Sequence, residues 1–292
     1  MSYDPPVRID LHTHSRVSDG TDAPADLIRA AAAAGLDVIG VTDHDTTAGW
    51  VEAADAARAV GVVMAPGIEI STRHRGGAVH LLAYLPDPDH AGLRAELARI
   101  VAGREDRVPA MLSRLRDLGI PATQEALAAI TGPTVVTGRP HIADLLVHLG
   151  VVADRDEAFR RYLAEGGAAF IDRYAADLTA TIGLVLAAGG VPVIAHPWGR
   201  GSARVLDRAT LADLRDAGLA GLEVDHLDHD SGQRSELRAI ATGLGLLVTG
   251  SSDHHGTGKI GHDLGCETTA PEVWQEIVAR AAAAGSPTVP VA

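Results

Sequence analysis

VRIDLHTH, residues 7–14, runs from an aliphatic strand straight into two histidines, and this junction decides how the rest of the chain is read. Val7 to Leu11 read as a short strand, and alternate side chains of a strand share a face, so His12 and His14 point the same way. The design then repeats. DVIGV at 37–41 runs into TDHDT at 42–46, VVMAPGIEIS supplies strand material up to Glu69, and VPVIAHP at 191–197 ends at His196, where Pro197 stops the strand. LGLLVTGSSDHH is a strand ending in a polar cluster around Asp253. Helical stretches separate these strands: one capped by Thr21 or Asp22, with Pro24 in its first turn and Gly35 closing it, then 47–60, 178–188, 207–217, 231–242 and 271–285.

Short aliphatic strands alternating with helices predict an α/β fold built on a parallel sheet or barrel. His12, His44, Glu69, His196 and Asp253 each fall at or just after a strand end. In a closed barrel those ends converge on one face, where active sites lie. An open doubly wound sheet gathers ligands from fewer strands, and no GxGxxG or Walker-type lysine loop supports a nucleotide fold.

Between about 92 and 186 the texture is mostly helical. LRAELARIVAGREDRVPAMLSRLRDLG reads as one long helix or two, and Pro109 predicts a break inside it. The expected organisation is a catalytic barrel formed by 1–99 and 173–292, with 100–172 as a helical insert or lid. RHRGG at 73–77 is expected as a basic loop before the strand VHLLAYL, which carries His80; GLEVDH at 221–226 is a further strand, and SPTVPVA a loose tail.

The 292 residues are 46% hydrophobic but only 3% aromatic, enough for an aliphatic core and too few for a stacking platform for single-stranded nucleic acid. With 25 basic against 38 acidic residues the formal charge is -13, which repels long polyanions and excludes long duplex nucleic acid as a partner. A locally positive, ion-loaded pocket still admits a small phosphorylated ligand. One cysteine, Cys266, rules out intrachain disulfides and thiolate-rich zinc sites, and with no signal-like N-terminus or membrane-length apolar run the expected setting is cytoplasmic.

Imidazole and carboxylate from five strand ends point to divalent ions, because so many acids brought together without cations would repel one another and resist burial. Two or three ions of Mn, Fe or Zn suit such ligands. Asp19 either caps a turn or reaches a metal, and Asp43 and Asp45 orient His44 or cap a helix. His80 alone would be read as a buried structural histidine. His254 and His255 face opposite ways, and spacing does not choose between them. His74, His90, His148 and His262 lack convergent context and are expected to be surface or structural residues.

DLHTHSRVSDG, GVTDHDT, GIEIS, VHLLAY, VIAHP and SSDHHG, in this order over nearly the whole chain, closely resemble the polymerase and histidinol phosphatase (PHP) family of phosphoesterases. The resemblance implies a distorted seven-stranded α/β barrel with a trinuclear metal centre. It would place His12, His14, Glu69 and Asp253 around one ion, Glu69, His80 and His196 around a second, and Asp19, His44 and His255 around the third. The family pattern thus selects His255. RPHIADLLVHLG at 139–150 resembles the subgroup acting on nucleoside 3′,5′-bisphosphates, AMP-like nucleotides or RNA 5′ ends, with Arg139 and His141 approaching the substrate phosphate. EVDHLDHD at 223–230, with His226 and His229, and His254 in place of a common Phe depart from the pattern.

The implied reaction is phosphate-ester hydrolysis of a small nucleotide, with short RNA 5′ ends as a further partner, by a metal-bridging hydroxide attacking in line. Arg139, Arg200 and Lys259 are candidate phosphate clamps, Asp253 joins metal and chemistry, and His226 or His229 is a candidate proton donor to the leaving oxygen. Rival readings are 5′-3′ exoribonuclease or cyclic phosphodiesterase action, amidohydrolase-type C–N hydrolysis, which lacks its usual strand-end lysine here, and a non-catalytic accessory metal-binding domain.

Overall fold

Val-, Ile- and Leu-rich runs form the strands, and Ala- and Leu-rich stretches between them form the helices that cover them. The computed structural model describes residues 7–131 and 137–292. In chain order the elements are β1 (Ile9–Thr13), α1 (Pro24–Ala33), β2 (Val38–Val41), α2 (Trp50–Val60), β3 (Val63–His74), β4 (Gly77–Tyr84), α3 (Ala91–Asp117), α4 (Gln124–Thr131), α5 (Arg139–His148), α6 (Arg155–Ala158), β5 (Ala176–Asp177), α7 (Leu178–Ala187), β6 (Val191–Ile194), α8 (Arg208–Asp216), β7 (Gly221–Asp225), α9 (Ser231–Leu244), β8 (Leu247–Gly250) and α10 (Pro271–Ala283).

Seven strands run β1-β2-β3-β4-β6-β7-β8, and the two-residue β5 pairs β3 off this path. A parallel bridge between Thr13 and His254, with the His14 amide donating to the His254 carbonyl at 2.9 Å, brings the two ends of the path together. The result is a nearly closed α/β barrel. One departure from the expected parallel order is β4, which runs antiparallel to both β3 and β6. Its cause is local. Arg75 and Gly76 both have positive φ, 46° and 82°, so they form a two-residue turn of the hairpin kind, which returns the chain beside β3. Arg73 and His74 therefore belong to β3, not to a basic loop.

Three other expectations are corrected. Ala23, not Thr21 or Asp22, is the N-cap of α1, and Thr21 instead accepts the Thr257 amide through Oγ1. α3 runs unbroken through Pro109. A proline in a helix interior costs about 3 kcal/mol, and burial of Val108, Met111, Leu112 and Leu115 in one apolar cluster offsets it. The C-terminal tail is tied down rather than loose, since Val291 and Met64 exchange two backbone hydrogen bonds of 2.7 and 2.9 Å.

Aliphatic residues of the strands pack with Leu93, Leu97 and Ile100 of α3 and with α7, α8 and α9 in one large cluster. A separate cluster, from Val108 to Ala169, belongs entirely to the helical segment. The first half of α3 is thus anchored on the barrel while its second half builds the helical segment. Among the described residues no helix is long and apolar enough to cross a membrane.

Candidate metal centre

Backbone irregularities aim the polar side chains at the barrel mouth. The β1–β2 register slips between Asp10 and Thr13, where Gly40 passes so close that a Cβ there would lie 2.1 Å from the Leu11 carbonyl oxygen. Past the strand ends, Asp45, His196 and Asp253 adopt positive φ of 58°, 28° and 53°, which is strained for residues with a side chain. Tertiary contacts hold them there. The Ser71 amide donates to Asp45 Oδ1 at 2.7 Å, and the His196 amide to Glu223 Oε2 at 2.8 Å.

Glu69 stands at the middle of the group. Its Oε2 lies 3.2 Å from His12 Nε2, 3.1 Å from His14 Nε2 and 3.2 Å from His44 Nδ1, and its Oε1 lies 2.7 Å from His80 Nδ1 and 3.1 Å from His196 Nε2. Asp253 Oδ1 is 3.4 Å from both His12 Nε2 and His14 Nε2. On the other side of His14, Asp19 is 3.3 Å from His255 Nε2, 3.6 Å from His44 Nε2 and 3.6 Å from His14 Nδ1. All nine expected ligand residues therefore lie in one continuous cluster. His14 and His44 face two subclusters each: His14 groups with Asp19, His44 and His255 as well as with His12, Glu69 and Asp253, and His44 also groups with Glu69 and His80.

Two features fit divalent ions. The first is spacing: His12 Nε2, His14 Nε2, Glu69 Oε2 and Asp253 Oδ1 include contacts of 3.0–3.4 Å. Ligands about 2.1 Å from a tetrahedral ion are spaced about 3.4 Å apart. The second is charge. Asp10, Asp19, Asp43, Asp45, Glu69, Glu223 and Asp253 are all buried; Arg104 lies 2.8 Å from Asp45 and Lys259 2.6 Å from Asp253, too few fixed charges among the described side chains to answer seven carboxylates.

The titration of these groups follows from that crowding. Burial would raise the carboxyl of Glu69, yet His44, His80 and His12 hold it well below the ordinary range. Burial likewise opposes ionisation of Asp19 and Asp253, but His44 and His255 hold the first down, as Lys259 and His12 do the second. Burial disfavours the charged form of His12 and His14, but the surrounding carboxylates win, lifting His14 to about 9 and His12 well above its usual value. Yet the two Nε2 atoms are 3.0 Å apart, room for one shared cation and not for two opposed N–H protons. Burial pushes His44 and His255 down, toward the neutral form that a metal requires, so their hold on Glu69 and Asp19 acts only in the acid range where they are protonated.

Glu223, in the middle of β7, is a site residue that sequence reasoning missed. It accepts from His12 Nδ1 at 2.9 Å, leaving His12 Nε2 as the ligating atom, and it also holds the His196 amide and the Ser251 hydroxyl. Burial alone would raise its carboxyl, but His12, His226 and His196 hold it down to about 2. Replacement Glu223→Gln is expected to weaken metal binding about 10–100-fold with the fold retained. Titration of metal-stripped protein measures this, and unchanged affinity would remove Glu223 from the site.

Other expected residues fall as follows. Asp43 accepts from Ser15 and Ser18, and Asp45 from Ser71 and Arg104, so both brace the loops on either side of His44. His226 accepts the Asp228 amide at Nδ1 and faces Asp253 Oδ2 with Nε2 at 3.3 Å. His229 donates from Nδ1 to the Val224 carbonyl and accepts the Trp198 amide at Nε2. Both rings are thus engaged at both nitrogens, with the His226 Nε2 proton turned toward Asp253. His262, expected as a surface or structural residue, is buried beside His226 and Asp253, with Nδ1 donating to the Ser252 carbonyl at 2.6 Å. His254 turns away, donating to the His262 carbonyl and facing Asp22.

Lys259 reaches the centre but lies on Asp253. His141 is buried, and its Nδ1 accepts the Gly138 amide. Arg139 stacks over Phe159 and Phe170 and donates to the Leu163 carbonyl, and the side chain of Arg200 lies outside the described residues. Arg155, not foreseen, grips Asp144 with two hydrogen bonds and gives a third to the Asp19 carbonyl at 3.2 Å, tying the helical segment to the loop that carries Asp19.

Comparison with known proteins agrees with this geometry. The PHP domain model matches residues 10–123. The chain is 34% identical over 279 residues to the 3′,5′-nucleoside bisphosphate phosphatase of Chromobacterium violaceum, covering 94% of this chain and 98% of the relative. It is also 34% identical over 272 residues to a 5′-3′ exoribonuclease of Haemophilus influenzae, covering 92% and 98%. Among solved structures, a protein of Bifidobacterium adolescentis proposed to be a metal-dependent phosphoesterase superposes with a TM-score of 0.90 at 36% identity, over 95% of this chain and 98% of that one.

Proposed function

We propose, from the premise that this chain belongs to the PHP family of metal-dependent phosphoesterases, that it removes a phosphate from a small phosphorylated nucleotide such as a nucleoside 3′,5′-bisphosphate or AMP. One observation carries the reading: both oxygens of Glu69 face imidazoles, so a single carboxylate joins ligand groups on either side of it. In this reading His12, His14, Glu69 and Asp253 hold one ion, Glu69, His80 and His196 a second, and Asp19, His44 and His255 a third. Bound there, Mn, Fe or Zn would acidify water and draw charge from the phosphoryl oxygens.

The chain's own side chains supply the rest. Glu223 fixes the tautomer and angle of His12. His255 donates from Nδ1 to the Asp253 carbonyl at 2.8 Å, which turns its Nε2 toward Asp19. His141 and Arg139, at the start of α5, form the wall through which the helical segment, 100–172, meets substrate. Lys259 and Asp253 sit together at the edge, where Lys259 can leave its carboxylate for a phosphate oxygen without a large movement.

The second reading, hydrolysis at RNA 5′ ends, is favoured by the equal identity to an exoribonuclease. A phosphate-release panel on the metal-loaded protein separates them, comparing 3′,5′-bisphosphates, 5′-monophosphates and 5′-phosphorylated oligonucleotides alongside metal analysis. The bisphosphates are expected to turn over fastest. Preference for oligonucleotides, with nucleotides released one by one, would replace the first reading by the second, and no hydrolysis of any phosphate ester would overturn both.

A further inference from the structure

The three ligand groups are not held equally well by the barrel. His12, Glu69 and His80 lie within β1, β3 and β4, so strand backbone pins the first two groups. Glu223, on β7, orients His12 and the His196 backbone from inside the same sheet. In the third group Asp19 and His255 stand on loops beyond β1 and β8, and His44 lies beyond β2. A side chain on a loop is placed only as well as the loop backbone is held. Part of that hold is local. The Gly20 amide donates to the Ser15 carbonyl at 3.0 Å, and the Thr21 amide to the His255 carbonyl at 3.2 Å, which lays the two loops side by side.

The helical segment supplies the rest, at the ligand itself. Arg155 Nη1 donates to the Asp19 carbonyl at 3.2 Å. His141 takes the carbonyl before it: Nδ1 accepts the Gly138 amide, which leaves Nε2 to donate to the Ser18 carbonyl. Asp144 sets the aim of the guanidinium, accepting from Nε and Nη2 at 2.6 and 2.7 Å and leaving Nη1 for Asp19. A two-pronged pair of this kind fixes the plane of the group, which a lysine in its place could not do. The His255 loop meets the same guanidinium. A Cβ on Gly258 would lie 2.5 Å from Arg155 Nη1, so the loop passes there because residue 258 has no side chain. His141 and Asp144 both stand on α5, whose Ile142, Leu145 and Leu146 are buried in the core of the helical segment and not in that of the barrel.

We infer that Arg155, aimed by Asp144, is a positioning residue for the third ion, which is held tightly only while the helical segment is docked on the barrel. The inference rests on the three-ion reading above and deepens it: two sites belong to the barrel, and the third is completed from outside it. Coupling of this kind is reciprocal. Filling the third site therefore clamps the helical segment, and with it the wall formed by Arg139 and His141, onto the barrel mouth.

Arg155→Met and Gly258→Ala test this by separate routes, the first removing the guanidinium and the second pushing it aside. Calorimetric titration of metal-stripped protein with Mn gives the number and affinity of the sites. In both variants two ions are expected to bind as in the parent, and the third about 10–100-fold more weakly. Amide exchange of the stripped protein gives a readout independent of any ion. Amides of residues 18–21 are expected to exchange at least about tenfold faster in Arg155→Met, with β1, β3 and β4 unchanged. Because mass action refills a weakened site, excess Mn is expected to return turnover of Arg155→Met to within about threefold of the parent.

Equal weakening of all three sites, or faster exchange throughout the barrel and the helical segment alike, would make Arg155 a general structural residue and overturn the inference. A raised KM that excess Mn leaves unchanged would place Arg155 on the substrate instead, and would overturn it too. Asp19→Asn separates this inference from the reading beneath it. If that variant binds Mn as the parent does, the three-ion reading falls and the inference with it. If it loses the third ion while Arg155→Met or Gly258→Ala keeps parental affinity, the inference alone is sunk.

Discussion

Stripping the protein of divalent ions abolishes phosphate release, and adding Mn or another divalent ion restores it. Loss of the metal contribution is expected to slow turnover by about 10³-fold or more. The expectation follows from the charge inventory: seven buried acids are answered by Arg104, Lys259 and histidines that compete for the same few ångströms. Reloading carries its own signature. Carboxylates around them overcome burial and raise His14 to about 9 and His12 well above its usual value in the ion-free protein. The 3.0 Å between their Nε2 atoms leaves room for one proton, so one proton shared by the pair is in place at pH 7 and leaves as pH rises through about 9. An entering ion must displace it, so affinity falls as pH drops below about 9, by about 1.4 kcal/mol per pH unit for each proton displaced. Calorimetry in buffers of different ionisation enthalpy counts the protons released. Full turnover in protein shown to be metal-free, or no proton release at pH 7, would contradict this account.

Replacing Glu69 by Gln is the single substitution with the largest expected effect, a fall in kcat/KM of about 10³-fold together with loss of bound metal. One carboxylate oxygen faces His12, His14 and His44 and the other faces His80 and His196. An amide of the same shape offers one oxygen and one NH2, so one side of the cluster meets a donor where it needs an acceptor. Ile68 and Ile70 on either side of Glu69 pack into the barrel core and are untouched, so circular dichroism and melting should stay close to the parent. A Gln variant with parental metal content and rate would remove Glu69 from the centre of the site.

Much of this was legible before any coordinates. His12, Glu69, His196 and Asp253 follow aliphatic runs whose ends must meet in a barrel, and their chemistry is visible in their spacing. His14 was legible as a neighbour of His12, but not as a side chain facing two subclusters, which depends on where the Asp19 loop folds back. Glu223 sits inside GLEVDH, and a carboxylate within a buried parallel strand is costly enough to have been a signal. Its partners come from β1 and the end of β6, which only the sheet order brings together. The antiparallel β4 had its own cue in the Arg75-Gly76 turn, and the docked tail had one in its alternating VPV.

The bridge from Thr13 to His254 closes the barrel with pairs that lie far apart along the chain, and Asp10 holds the Ser252 amide across 242 residues. Contacts of such sequence separation are slow to form, because nearly the whole chain must be ordered before they are made. During synthesis His12 and His14 emerge early and wait, without Asp253 or His255, until β8 has left the ribosome. The nascent chain is thereby kept from assembling its ion-binding pocket before β8 and the turn behind it are made, and an enzyme that cleaves phosphate esters gains that ability only once they pair with β1.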